Sequence, residues 1–239
     1  MKTNRQEKQD FYSDSETVKK YEDLRFSNVG GQFVHQSEVS LFSQFLNICS
    51  LQESILDIPC GTGRMLPTIK ASGFKKVYAA DYSDEMLAVC YENPLFQKTH
   101  FSKQDIYSTT YPEQQFSVVL SSRFLFHCDD QDRLFSEFER VIAPEGYLIF
   151  DSLRWSPRTW TRLFSEQLGG DVYTNSTSSI YKLADAHGFE VIDSQVILLF
   201  PSFVYNFIPG ILMRPLIWLE SIWPSLLKTK QVWILKKRE

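Results

Sequence analysis

Between residues 54 and 152, short apolar runs alternate with stretches whose apolar residues recur every three or four positions. The runs SILDI (54–58), KVYAAD (76–81), HFSKQD (100–105), FSVVLSS (116–122) and YLIFDS (147–152) predict buried strands. Helices are predicted between them. Over residues 64–73, Pro67 is tolerable only in a first turn and Gly73 stops the helix. Over 83–93, Ser83 is the expected cap, with Asp84 and Glu85 favourable at the positive end. From 129 to 142, Leu134, Phe135, Phe138, Val141 and Ile142 share one face, and Pro144-Glu145-Gly146 is expected to turn the chain into the next strand. Strands alternating with helices imply an α/β fold with a doubly wound, mostly parallel sheet, whose ligands bind beyond the carboxyl ends of the strands.

The flanks are less regular. Residues 1–20 are polar, and YEDLRFSNVGGQ (21–32) contains Gly30-Gly31 as an expected breaker. Val39, Phe42, Phe45, Leu46 and Cys49 then have helical spacing. After residue 152 an aromatic, basic stretch precedes a helix ending at Gly188, a long strand over 189–200 and a closing strand, QVWILKKR (231–238), which completes seven. The expected organisation is an N-terminal helical cover or lid (1–50) and one domain (51–239) with an apolar insertion at about 201–229, before the last strand.

That insertion changes the picture most. Ser194 to Met213 carries no charged residue, yet Pro201 and Pro209 argue against a spanning helix. It suits first a cap over a substrate site, then a homodimer surface and last a lipid contact, which is not favoured although the nearby KTK and KKR clusters slightly help it, since charged tails are usually solvated. The chain's formal charge of −4 makes nucleic acid an unlikely partner. The four cysteines, Cys49, Cys60, Cys90 and Cys128, show no CxxC spacing, so no metal site is expected. With a polar N-terminus lacking a signal-peptide core, they suit the reducing cytoplasm.

Candidate chemistry centres on Ile55-Leu56-Asp57-Ile58-Pro59-Cys60-Gly61-Thr62-Gly63-Arg64. A glycine turn between a buried strand and a helix lets the backbone approach a ligand closely. Asp81 ends the second strand 24 residues after Asp57, a spacing at which a carboxylate can take ribose hydroxyls. Asp105 ends the third. Three acidic strand ends suit an adenosine-bearing ligand without phosphates. A nicotinamide dinucleotide would prefer a third glycine where Leu66 stands.

These segments resemble the class I S-adenosylmethionine (SAM)-dependent methyltransferases, a Rossmann-like superfamily. LDIPCGTGR is similar to their first motif, AADYSDEML to the second and KQDIY to the third. FSVVLSSRFLFH and RVIAPEGYLIF are similar to the fourth-strand region and the segment after it. The resemblance implies SAM as cofactor and S-adenosylhomocysteine as product. Asp57, Pro59, Cys60 and Gly61 would surround the amino-acid end. Asp81 would hold the ribose, with Tyr82 and Met86 flanking the adenine and Asp105 and Ile106 at its edge. Ser121, Ser122 and Arg123 would line the floor near the sulfonium, and Arg64 and Arg123 would neutralise the SAM carboxylate or bind an acidic substrate. Tyr21, Arg25 and Phe26 are expected as a lid. Pro59 departs from the glycine common there and has no N–H to offer. His127, just after the fourth strand, is the candidate general base, with a helix-capping histidine as the alternative. His35, His100 and His187 are poorer candidates, and Asp129 and Asp130 suit helix capping. The expected activity is methyl transfer to an O, N or C nucleophile of a small, apolar or aromatic acceptor. A nicotinamide-dependent oxidoreductase and a non-catalytic adenosine-ligand-binding protein of this fold are the alternatives.

Overall fold

A computed structural model describes residues 28–49, 53–159 and 172–239. Helix α1 (Val29–Ile48) leads to β1 (Ser54–Asp57), α2 (Leu66–Ala71), β2 (Lys76–Asp81), α3 (Asp84–Glu92), β3 (Thr99–Lys103) and β4 (Phe116–Ser121). Then come α4 (Gln131–Val141), β5 (Ile142–Leu153), α5 (Thr177–Ala186), β6 (Phe189–Ile197), α6 (Ser202–Tyr205), α7 (Gly210–Ile222) and β7 (Lys230–Lys237).

Among the described residues, seven strands form one sheet in the order β3-β2-β1-β4-β5-β7-β6. All neighbours pair in parallel except β7, which runs antiparallel to both β5 and β6. This is the expected α/β, doubly wound, mostly parallel sheet. The strand order reverses between β1 and β4, and a crevice opens beyond their carboxyl ends.

Side-chain alternation divides the core between the two faces of the sheet. Ile55, Val118, Leu120, Ile149, Val232 and Ile234 pack with Leu41, Phe42, Phe45 and Leu46 of α1. Leu56, Val119, Leu148, Phe150, Trp233 and Leu235 pack with Leu134, Phe135 and Phe138 of α4 and with Ile180 and Ala184 of α5. The predicted caps form: Ser83 accepts from the Met86 N–H at 3.1 Å, and Asp130 from that of Arg133 at 3.1 Å. His187 caps the C-terminus of α5.

Two local expectations are corrected. Gly30-Gly31 do not break the chain, because α1 begins at Val29 and Asn28 caps it by accepting from the Gly31 N–H at 2.7 Å. A Cβ at Gly30 would lie 2.0 Å from the Tyr205 carbonyl oxygen. The glycine is there for close approach to the insertion. Pro144-Glu145-Gly146 is no separate turn either. The strand starts at Ile142, directly after α4, and Glu145 at φ 63° takes up an irregularity in the β4–β5 register.

The insertion forms α6, α7 and a short 3-10 turn at Ser225–Leu227, packed on α1 through Val34, Leu198, Tyr205 and Met213. The Tyr205 hydroxyl donates to the buried Glu220 carboxylate, which also accepts from the Leu199 N–H at 2.8 Å. β6 points the same way as β5, so the insertion leaves the sheet at the carboxyl edge. No helix among the described residues is long and apolar enough to cross a membrane.

Gly30→Ala is expected to destabilise the fold by about 1–3 kcal/mol through overpacking. Gly210→Ala, whose Cβ would meet Val29 at an ordinary 3.8 Å, should stay within about 0.5 kcal/mol. Urea unfolding of the two variants checks the contrast.

Candidate functional site

The loop after β1 is stitched to the strands on either side. Ile58 N–H donates to Leu120 O at 2.9 Å, and Cys60 N–H to Ala80 O at 2.8 Å. The Ile58–Pro59 peptide is cis. Gly61 and Gly63 lie at φ +54° and +84°, a region disfavoured for other residues. A Cβ at Gly63 would strike the Phe96 ring at 2.7 Å, whereas one at Gly61 would meet nothing within 4 Å. The first glycine thus leaves open space over the loop, and the second seats the loop on α3.

Asp81, at the end of β2, ties this loop down. One carboxylate oxygen accepts from the Gly61 N–H at 2.8 Å, the other from the Ser83 N–H at 3.0 Å. Burial pushes its carboxyl up, and the N–H groups of Ser83, Gly61 and Tyr82 pull it part of the way back. Asp57 is fully buried, and both its oxygens lack a hydrogen-bond partner in the structure. Burial pushes its carboxyl up to about 8, Arg64 opposing the shift and the Asp81 charge adding to it. Asp105 is half-buried and accepts from the Tyr107 N–H at 3.1 Å. The three acids occupy three different environments.

A cavity opens at the carboxyl edge of the sheet. Its wall brings together Pro59, Cys60, Gly61, Arg64, Asp81, Tyr82, Met86, Asp105, Ile106, Ser122, Arg123 and His127. Two sequence candidates are absent from the wall. Asp57 is buried within the fold, and Ser121 sits at the buried end of β4 with no partner for its hydroxyl. Arg25, with Tyr21 and Phe26, lies outside the described residues. Sequence reasoning missed Ile58, Thr62, Ser83, Gln104, Tyr107 and Phe124, which also line the cavity. Gln104 and Tyr107 flank Asp105 and Ile106 in the KQDIY segment, so their proximity was available from the motif.

One side of the cavity is backed by buried charges. Glu38, on α1, is fully buried. It accepts from Arg64 at 2.9 Å, from Arg123 through two guanidinium nitrogens at 2.9 and 3.0 Å, and from Lys230 at 2.6 Å. Burial alone would raise its carboxyl, but Arg123, Lys230 and Arg64 together hold it well below the usual carboxylate range. Asp151 accepts from the Arg123 N–H at 2.6 Å and pairs with Lys230. That bond holds Arg123 at its left-handed φ of 59°. Arg64 also donates to Ser122 at 2.6 Å.

His127 sits in a 3-10 turn, Leu125–His127, separated by three residues from the end of β4. Its ring lies 4.6 Å from that of Phe126 and faces the cavity wall. No group of three or more potential metal ligands exists among the described residues.

A glycine loop, an acidic strand end and an apolar wall at the switch point of such a sheet define a nucleoside-type site in a doubly wound fold. Residues 56–150 match the family described as "Methyltransferase domain". Over that segment, less than half of its length, the chain is similar to this family. It is 27% identical over 150 residues to phosphoethanolamine N-methyltransferase 1 of Arabidopsis thaliana, covering 61% of this chain and 30% of that one. The chain spans about 30% of the length of the plant relatives it matches. Among solved structures it is similar to phosphoethanolamine N-methyltransferase 2 of Haemonchus contortus bound to S-adenosylhomocysteine, with a TM-score of 0.70 at 18% identity, covering 100% of this chain and 61% of that one. It is also similar to the magnesium protoporphyrin IX methyltransferase of Synechocystis PCC 6803 with the same product, with a TM-score of 0.69 at 13% identity and coverage of 98% and 100%.

Two predictions follow from the charges. Asp57 binds its proton more tightly folded than unfolded, so its contribution to stability is complete below the unfolded pKa near ~4 and fades as pH rises through about 8. Asp57→Asn should remove that downward slope, which thermal melts of the ligand-free protein at several pH values would show. Glu38→Gln leaves three cations without their shared carboxylate and should cost about 3 kcal/mol or more in urea unfolding.

Proposed function

We propose that the protein is a SAM-dependent methyltransferase acting on an O, N or C nucleophile of a small, apolar or aromatic acceptor, with S-adenosylhomocysteine as the second product. The supporting observation is the one cavity wall that unites the LDIPCGTG loop, the acidic end of β2, the segment after β3 and the end of β4. The residues present suit the cofactor. Gly61 leaves room over the loop, and Asp57 is a buried carboxyl with no partner in the structure. When bound, SAM supplies an activated methyl group on a sulfonium.

Asp81 would accept from the ribose hydroxyls while its bonds to the loop keep it oriented. Tyr82, Met86 and Ile106 offer apolar surface to the adenine, and Asp105 accepts at its edge. Asp57 lies off the wall behind the loop, so it would back the amino-acid end from beneath without lining the cavity. The chain's main contribution is to align acceptor and methyl group and to exclude water, an effect of roughly 7–11 kcal/mol in favourable cases. His127 takes the proton from an acceptor that must lose one.

Tyr107 and Phe124 on the wall favour an apolar or aromatic acceptor. The plant relative is named for a phosphorylated one, which would call on guanidinium groups. Here Arg64 and Arg123 are both engaged by Glu38. The insertion contributes no residue to the wall among those described, so it does not support the substrate-cap reading. A nicotinamide dinucleotide is disfavoured because the third-glycine position holds Leu66, fully buried in the core. The net charge of −4 disfavours nucleic acid as acceptor. The cytoplasm is the proposed location, on four free and buried cysteines.

Transfer of isotopically labelled methyl from SAM to a panel of phenols, amines and carbon acids tests the reading. Turnover on at least one apolar acceptor is expected. Binding without transfer to any would favour the non-catalytic alternative. His127→Gln should lower kcat about 100-fold or more and leave SAM affinity within about twofold. Unaltered kcat would remove the base role.

A further inference from the structure

Helix α7 carries apolar side chains on its exposed face as well as on its buried one. Met213, Leu216 and Glu220 form the stripe turned toward α1 and the rest of the fold. On the opposite stripe, where a surface helix is normally most polar, stand Ile211, Pro215, Trp218 and Ile222. Ile211 is 85% exposed, Trp218 65% and Ile222 57%. Phe207 at 81% and Leu226 at 75% are exposed on the segments before and after the helix. Scattered exposed apolar residues need no explanation, but a contiguous group that includes a tryptophan marks a contact surface.

Charge identifies the partner. Residues 198–229 contain three ionisable acids and bases of the Asp, Glu, Lys and Arg type: Arg214, Glu220 and Lys228. Glu220 is buried and bonded inward to Tyr205 and Leu199. The charges left at the surface are both positive, on a chain whose formal net charge is −4. A twofold contact between two copies of this face would bring cations to cations with no acidic partner from the face itself. An anionic lipid surface supplies both the apolar depth and the counter-charge. Tryptophan favours the boundary between the two.

We propose that α7 and the segments flanking it seat the protein on an anionic membrane surface, lying in the interface without crossing it. The insertion leaves the sheet at the carboxyl edge, the edge on which the cavity opens. Seating it therefore brings that edge toward the lipid. The proposal stands apart from the methyl-transfer reading, because its readouts involve no cofactor and no turnover.

The test is flotation of the purified full chain with vesicles of phosphatidylcholine alone and of phosphatidylcholine with phosphatidylglycerol, with tryptophan emission recorded alongside. Flotation with the anionic vesicles and a blue shift are expected, and removing the anionic lipid should weaken partition about fivefold or more. Ile211→Ser, Trp218→Ser and Ile222→Ser combined should weaken it at least about 100-fold without lowering the melting temperature, since all three side chains are exposed. Arg214→Glu should weaken anionic binding alone. A chain that stays unbound with anionic vesicles overturns the proposal, as does equal flotation of wild type and the triple variant. A dimer in light scattering that the triple variant dissociates, with no vesicle binding, would give the face to a second copy instead.

Discussion

The buried carboxylate of Glu38 is the interaction on which the arrangement of the site depends. It joins α1 to the loop after β1 through Arg64, to the end of β4 through Arg123 and to β7 through Lys230. These segments are far apart in sequence, and the shared carboxylate ties them together at one point. An ion taken out of water costs several kcal/mol unless its partners surround it. The pairing therefore forms only when all four elements are in place. Two wall residues, Arg64 and Arg123, are held from behind by a helix that itself contributes no residue to the wall. Asp151 extends the same logic by holding the Arg123 backbone in a conformation it would otherwise avoid.

Against that fixed frame, three acids of one chemical type are differentiated by surroundings alone. Asp81 is satisfied by backbone N–H groups and orients the loop. Asp105 is half-exposed at the cavity edge. Asp57 is sealed away from partners, and its proton is held up to about 8. The division follows from position: each acid stands at the end of a different strand or just beyond it, and the strands end at different depths.

The parallel sheet, its helices and most of the wall were legible because they are local. Alternating strands such as FSVVLSS and capped helices such as that following Ser83 state their structure within a dozen residues. The linked spacing of Gly61, Asp81 and Asp105 located the cavity. Long-range contacts were not legible. Gly30 looked like a breaker because its reason is Tyr205, 175 positions away. Glu38 did leave a trace: it falls on the same helical stripe as Val34, Leu41, Phe42 and Phe45, where an acid requires buried cations. Which cations they were could not be read from spacing. Asp57 and Ser121 show the other limit, since a motif position fixes the backbone and leaves open which way a side chain faces.

The wall, the loop and the acids together imply a site for an adenosine-bearing sulfonium and not for a dinucleotide. Calorimetric titration with S-adenosylhomocysteine and, separately, with NAD tests this most directly. The structure predicts saturable binding of the first, lost in Asp81→Ala, and no heat from the second. Saturable NAD binding with none for S-adenosylhomocysteine would contradict it.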